Sequence, residues 1–226
     1  MAILTSAPNN VLIGGNGDDI LGRFDADVSN DVSELMRGNG GNDTYFVDKS
    51  GFDSVIELPG EGTDWVMLGD LRGVDLYMLP DDVENLEVFT RIGTNGGVVR
   101  GNALDNILTS EHSGALFDLD GGAGNDTVIG SGRLYGGGGN DLLRGAGELW
   151  GDATTGSRDI AGIAGNDTLT ASPIGNDNFL SGDGQYLLAG AVGGNDVLTG
   201  SDADSELAAN GRDVLYGDAS IDMQDG

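Results

Sequence analysis

The chain has 226 residues and carries 38 acidic side chains against 10 Lys and Arg, a formal charge of −28. Such a surface repels nucleic acid and anionic membrane, so neither is expected as a partner, and the natural counter-charge is a cation. Cysteine is absent, which removes disulfides as a source of stability, and no apolar run approaches the roughly 18 residues that a membrane span needs. Glycine stands at 42 residues, against four prolines and a hydrophobic share of 38%. That composition argues against collagen, a Pro-rich linker or simple disorder. Residues 1–17 show no basic stretch followed by an apolar one. A Sec-type leader is therefore not expected, while export routes that read a C-terminal signal stay open.

Taken in chain order, a nonapeptide recurs. Gly14 to Gly22 reads GGNGDDILG, a match to G-G-x-G-x-D-x-U-x with U a large apolar residue. Gly38 to Phe46 (GNGGNDTYF) lacks only the second glycine. Between residues 51 and 110 the glycine-rich lead fades. Short apolar strands are expected there at Val55-Ile56, Val66 to Leu68, Leu76 to Leu79 and Leu86 to Phe89, with Gly51-Phe52-Asp53 and Gly62-Thr63-Asp64 keeping a bare Gly-x-Asp. Gly121 to Ile129 (GGAGNDTVI) and Gly136 to Arg144 (GGGGNDLLR) match fully, and Gly162 to Thr170 (GIAGNDTLT) again lacks one glycine. Looser copies follow at Gly175 to Phe179, Gly194 to Leu198 and Gly211 to Leu215. No helical periodicity of any length appears.

The repeat resembles the RTX, or haemolysin-type calcium-binding, family, most specifically at 14–22, 38–46 and 121–144. The segments GEGTDWVML, LPDDVENLEV and GNALDNIL are similar to the divergent rungs that often precede the regular repeats of that family. The resemblance implies an all-β fold, a right-handed parallel β-roll of two sheets with Ca²⁺ between turns. Two nonapeptides would make one coil. It also implies type I secretion and a place outside the cell, at its surface or in its matrix.

The spacing suits the ion. Glycines at the first, second and fourth places permit positive φ and close backbone approach, so that a six-residue turn can aim several carbonyls at one spot, and the sixth-place Asp adds a carboxylate. Ca²⁺ takes six to eight oxygens at ~2.3–2.6 Å in forgiving geometry, whereas Mg²⁺ demands a rigid octahedron. The candidate ligands are Gly14, Asn16, Asp18 and Asp19; Gly38, Gly40 and Asp43; Gly121, Ala123 and Asp126; and Gly136, Gly138 and Asp141. Further along, Asp167 and Asp196 are expected to close successive turns on the edge of Asp141, with Asp177 and Asp213 on the opposite edge. Asp152, Asp183 and Asp218, at the second place of their turns, are additional candidates. Insertions at 153–164 and 185–193 would then bulge from the edge as binding loops. The strand x-U-x turns one apolar side chain inward, which picks out Leu21, Tyr45, Val128, Leu143, Leu169, Phe179, Leu198 and Leu215.

The chain thus divides as one solenoid over 1–226, with calcium repeats at 1–50, divergent metal-poor rungs at 51–110, and calcium repeats with long inserted turns at 111–226. The expected role is a non-enzymatic calcium-binding module, structural or adhesive, that stays unfolded at low intracellular calcium and folds outside. Cell-surface or matrix polysaccharide is a candidate partner. A repeat portion of a larger secreted protease, lipase or polysaccharide-modifying enzyme is the first alternative. A self-assembling surface layer or fibre, stacking through open strand edges, is the second. The lone histidine, His112, reads as a solvated turn residue, and no zinc-protease or phosphate-binding motif is present. The N-D-T triplets at Asn42, Asn125 and Asn166 recur because the repeat recurs. Trp65 and Trp150 could stack on a sugar only if exposed, and burial is the simpler expectation.

Overall fold

A computed structural model describes residues 1–4, 10–22, 33–47, 53–69, 76–89, 97–110, 116–160, 163–172, 178–201 and 213–217. Among the described residues the protein is all-β, with parallel strand pairing in every sheet and no α-helix. No helix among them is therefore long and apolar enough to cross a membrane. His112 lies outside the described residues.

Successive strands alternate between two layers. One layer stacks Ile3–Leu4, Ile20–Gly22, Thr44–Val47, Trp65–Leu68, Asn85–Val88 and Ile107–Thr109. It continues through Thr127 to Ile129, Leu142 to Arg144, Thr168–Ala171 and Val197–Thr199. The other layer begins with Val11–Ile13, Leu35–Arg37 and Ser54–Val55. It resumes at Leu76–Met78, Val98–Arg100 and Asp118 to Asp120, and ends at Phe179–Ser181 and Val214–Tyr216. The long strands Thr127–Gly138 and Leu142–Trp150 belong to both layers. They bend around one edge through Gly130 to Gly132 and Gly145 to Gly147 without losing register.

Most strands are two to four residues of largely β-branched, aromatic or aliphatic character, and in each three-residue rung the middle residue points inward. Leu21, Tyr45, Val66, Leu86, Leu108, Val128, Leu143 and Leu169 from the first layer meet Leu12, Met36, Tyr77, Val99, Leu119, Leu134, Leu149 and Leu180 from the second in one buried apolar cluster. The core is thus one side chain deep from each layer. Phe179, expected inward, is only half-buried: the register Leu149↔Leu180 gives the inward place to Leu180. The loose copy at 175–179 has no leading glycine pair to fix its frame, and its frame is shifted by one residue. Leu198 is half-buried. Leu215 is exposed on the last described rung, where Val214–Tyr216 has a paired strand on one side only.

A second, smaller cluster lies on the outer side of the second layer, where Tyr135, Trp150 and Ala153 are buried with Phe179 packed against them. The first insertion folds back over this surface. Arg158 stands 4.6 Å over the Trp150 ring, and the Thr155 amide and hydroxyl donate to Asp120 Oδ2 at 2.8 and 2.7 Å. The two insertions meet each other as well, Asp159–Ile160 pairing in parallel with Tyr186–Leu187.

Candidate metal centres

Among the described residues, the turns at Gly14, Gly38, Gly101, Gly121, Gly136, Gly151 and Gly182 all run from the second layer to the first, so they lie on one edge. The sixth-place residues form a column along that edge, linked by one repeated hydrogen bond. The backbone N–H of each donates to the carboxylate of the next: Asp19 to Asp43, Asp43 to Asp64, Asp64 to Glu84, Asn106 to Asp126, Asp126 to Asp141, Asp141 to Asp167 and Asp167 to Asp196, at 2.6–2.9 Å. Asp43, Asp126, Asp141 and Asp167 are all buried.

That bond uses Oδ1. The second carboxylate oxygen, Oδ2, is buried without a hydrogen-bond partner at Asp43, Asp126, Asp141 and Asp167. Its surroundings show what it faces. A Cβ placed on Gly136 would fall on both Asp141 Oδ2 and the Gly151 carbonyl oxygen. At Gly121 the pair is Asp126 Oδ2 and the Gly136 carbonyl, and at Gly151 it is Asp167 Oδ2 and the Gly182 carbonyl. The first glycine therefore leaves open a cradle in which a bare carboxylate oxygen and the carbonyl of the next rung converge. Glycine is needed further round the same turn for a different reason. Gly137 and Gly139 adopt φ of 104° and 133°, where a side chain would be strained.

Burial without a counter-charge makes these acids hard to ionise. Desolvation pushes Asp126 and Asp141 up to about 7, the hydrogen bonds from Asn106 and Asp126 opposing it and neighbouring carboxylates reinforcing it. Burial also raises Asp152 and Asp167; the charges of Asp183 and Asp196 add to it at Asp152 and those of Asp152, Asp141 and Asp196 at Asp167, while the Gly165 and Asp141 amides oppose it. Among the described residues no lysine or arginine pairs with Asp43, Asp126, Asp141 or Asp167. Asp19, at the start of the column, lies below the usual range because the Gly15 and Ala2 amides donate to it.

The other candidate ligands fall into distinct places. Gly121 and Gly136 hold cradles; at Gly14 the Asp19 Oδ2 faces the Gly38 carbonyl but accepts the Gly15 amide at 2.7 Å, and at Gly38 the Tyr45 hydroxyl stands beside Asp43 Oδ2 in place of a carbonyl. Asn16, Ala123 and Gly138 are exposed at the turn tips and Gly40 is half-buried there. The Gly138 carbonyl accepts the Gly124 N–H at 2.8 Å, along the stack. Asp18 is outside the buried column, and its Oδ1 accepts the Asn42 N–H at 2.8 Å in an exposed row. Asp152 and Asp183 close the two inserted turns, accepting the Gly165 and Gly194 amides at 2.6 and 2.9 Å. Asp152 Oδ2 adds another buried oxygen without a partner beside Asp167. Asp213 stands on the opposite edge, as expected, where Asn178 and Ser201 donate to it. The residue in register with it is Asn178 rather than Asp177, since Phe179 pairs with Val214. Asp177 and Asp218 themselves lie outside the described residues.

Three features escaped the sequence reading. Asp64 joins the buried column although its turn lacks the glycine lead; its Gly62-Thr63-Asp64 was the available signal. Glu57, at 5% exposure, lies against Asp43 and Asp64, and no motif marks it. The fifth-place asparagines also form a row of their own. The Asn140, Asn166 and Asn195 amides each donate to the side-chain oxygen of the previous asparagine at 2.7–2.9 Å. Comparison with protein-family models, with curated proteins and with solved structures yields no match.

Proposed function

We propose that the chain is a parallel β-roll of RTX-type turns that folds on binding Ca²⁺ and serves outside the cell as a non-enzymatic, structural or adhesive module. The observation that carries this reading is the row of buried Oδ2 atoms of Asp126, Asp141 and Asp167, each without a hydrogen-bond partner and each beside a glycine carbonyl. Asp126, Asp141 and Asp167 would hold the ions, with the carbonyls of Gly136, Gly151 and Gly182. An all-oxygen donor set that mixes carbonyls and carboxylates suits a hard cation of flexible coordination. A bound cation supplies the charge that the ladder lacks.

Magnitudes favour coupling of folding to the ion. Carboxylates one rung apart, ~4.8 Å, repel by ~1 kcal/mol in water and by ~3 kcal/mol at an effective dielectric of 20. That term recurs along the column, while the core is only one side chain deep from each layer. An unfolded chain at low calcium that folds at high calcium is suited to export before folding, which supports secretion by a type I route. The decisive measurement is a Ca²⁺ titration of the full chain out of excess chelator, followed by circular dichroism and calorimetry. A largely coil spectrum, with at most a minor residual β signal, turning to β with several ions bound per chain is the expected result. A β spectrum in chelator equal to that in Ca²⁺ overturns it.

A further inference from the structure

The turn over 56–64 departs from the glycine-rich turns at its first place. The register Leu35↔Ser54 and Met36↔Val55 sets Glu57 opposite Gly38, where those turns carry glycine and the 79–84 turn carries Leu79. Its carboxyl is buried at 5% exposure. One carboxylate oxygen from each of Asp43, Glu57 and Asp64 lies within 4.8 Å of the other two.

The hydrogen bonds leave this cluster short of donors. The Tyr45 hydroxyl accepts the Gly38 N–H at 2.7 Å, so its own proton is directed at Glu57 Oε1. Asp43 Oδ1 and Asp64 Oδ1 each accept one backbone amide, at 2.6 and 2.7 Å. Glu57 Oε2 and Asp43 Oδ2 are buried with no partner. The Arg37 guanidinium, 3.8 Å from Glu61, makes no ion pair with Asp43, Glu57 or Asp64. We propose that Asp43, Glu57 and Asp64 hold one hard cation of the Ca²⁺ class, at a site in which an interior glutamate replaces the open cradle of the first glycine.

The inference rests on the reading of the edge as cation-binding and places a site where the repeat pattern is weakest. Three carboxylates around one ion exceed what the glycine cradles offer, and a higher ligand charge tightens Ca²⁺ binding. This site therefore fills first. Burial supports it from the other side, raising Glu57 to about 8 and Asp64 to about 6, so the cluster resists ionisation without a counter-charge.

Terbium, a luminescent stand-in for Ca²⁺, reads the site directly, because Tyr45 touches Glu57 and Trp65 follows Asp64. The full chain is titrated with Tb³⁺ under aromatic excitation, and Ca²⁺ stoichiometry is measured by calorimetry. Glu57→Gln is expected to lower the Ca²⁺ count by one and to weaken the first sensitised Tb³⁺ event by about tenfold or more. An unchanged count and signal overturn the proposal and make Glu57 a buried neutral acid. If Glu57→Gln does not fold in saturating Ca²⁺, Glu57→Leu takes its place, the residue type that the 79–84 turn carries at the same position. Infrared spectra of the unmodified chain add an arm independent of either variant. Loss of every protonated-carboxyl band on Ca²⁺ saturation is expected, and a persistent one at neutral pH overturns the proposal. Asp126→Asn separates the two readings. If it lowers the count and the Glu57 variants do not, only the present inference fails; if neither does, the column reading fails.

Discussion

The turn at Gly121 to Asp126 and the turn at Gly101 to Asn106 sit on adjacent rungs, and they answer the same electrostatic demand in opposite ways. In the first, Asp126 presents a buried oxygen without a donor to the Gly136 carbonyl. In the second, Asn106 takes the aspartate's place. Its Oδ1 accepts the Asn102 amide at 2.9 Å, and its Nδ2 donates to the Glu84 carbonyl at 3.1 Å. Asn102 Nδ2 reaches the carbonyls of Pro80 and Val83 at 2.8 and 2.7 Å. Amide hydrogens do there what a cation would have to do one rung on. The turn can thus close without a cation where an amide stands in the carboxylate's place.

The largest expected effect follows from that contrast. Chelation removes the counter-charge from the acidic rungs and leaves the amide rung internally satisfied. Hydrogen exchange in excess chelator is expected to show free exchange at Val128, Leu143 and Leu169, with residual protection confined to the neighbourhood of Leu86, Val99 and Leu108. Uniform loss across both regions would mean that the amide rung cannot stand alone, and the contrast would then be one of composition only.

Protons should partly replace the cation in the acidic rungs. Asp126 and Asp141 move from an ordinary value of 3.8 to about 7 in the folded chain. A raised folded value means that the folded state binds more protons than the unfolded one between those limits. The associated stability is fully present below about 4 and is lost as pH rises through about 7. In chelator, acidification from neutral toward pH 4 is expected to restore β circular dichroism. The sequence pI of about 4.1 makes light scattering a necessary companion, to separate refolding from precipitation. No gain of β signal before scattering begins would contradict the raised values.

How much of this was legible in the sequence differs between the two regions for the same reason. Leu21, Tyr45, Val128, Leu143 and Leu169 could be read as inward because a full or nearly full glycine lead and a sixth-place Asp fix the frame of a strand whose sides alternate. The all-β, parallel character and the shared edge of Asp141, Asp167 and Asp196 came from the same frame. Where the lead is missing the frame slips, as at Phe179 and Asn178. Glu57 could not be read at all, since its partners Asp43, Tyr45 and Asp64 lie one rung apart in space with nothing periodic to announce them. Asn106 was visible as a break in the pattern, but the carbonyls that its amide reaches, on the preceding turn, were not.

Exchanging the two solutions is the sharpest way to break the comparison, with a smaller effect than either treatment above. Asn106→Asp removes the Nδ2 donor from the Glu84 carbonyl and from Asn102 Oδ1, and sets a second buried charge beside Asp126. The loss of buried hydrogen bonds to a group that cannot donate costs ~1–3 kcal/mol. The variant should lose the residual protection of the 76–110 rungs in chelator and recover it with calcium. Asp126→Asn works in the reverse direction. It deletes one buried charge, introduces donors toward an oxygen-lined cradle and lowers the calcium requirement of that rung, so the transition midpoint should move to lower Ca²⁺. Chemical denaturation with and without Ca²⁺ reports both changes on one scale. If the rungs differ as argued, the two substitutions have opposite signs in chelator, with Asn106→Asp destabilising and Asp126→Asn stabilising. If both destabilise equally in chelator, each residue is merely fitted to its own turn, and the carboxylate column would not be what ties this fold to a cation.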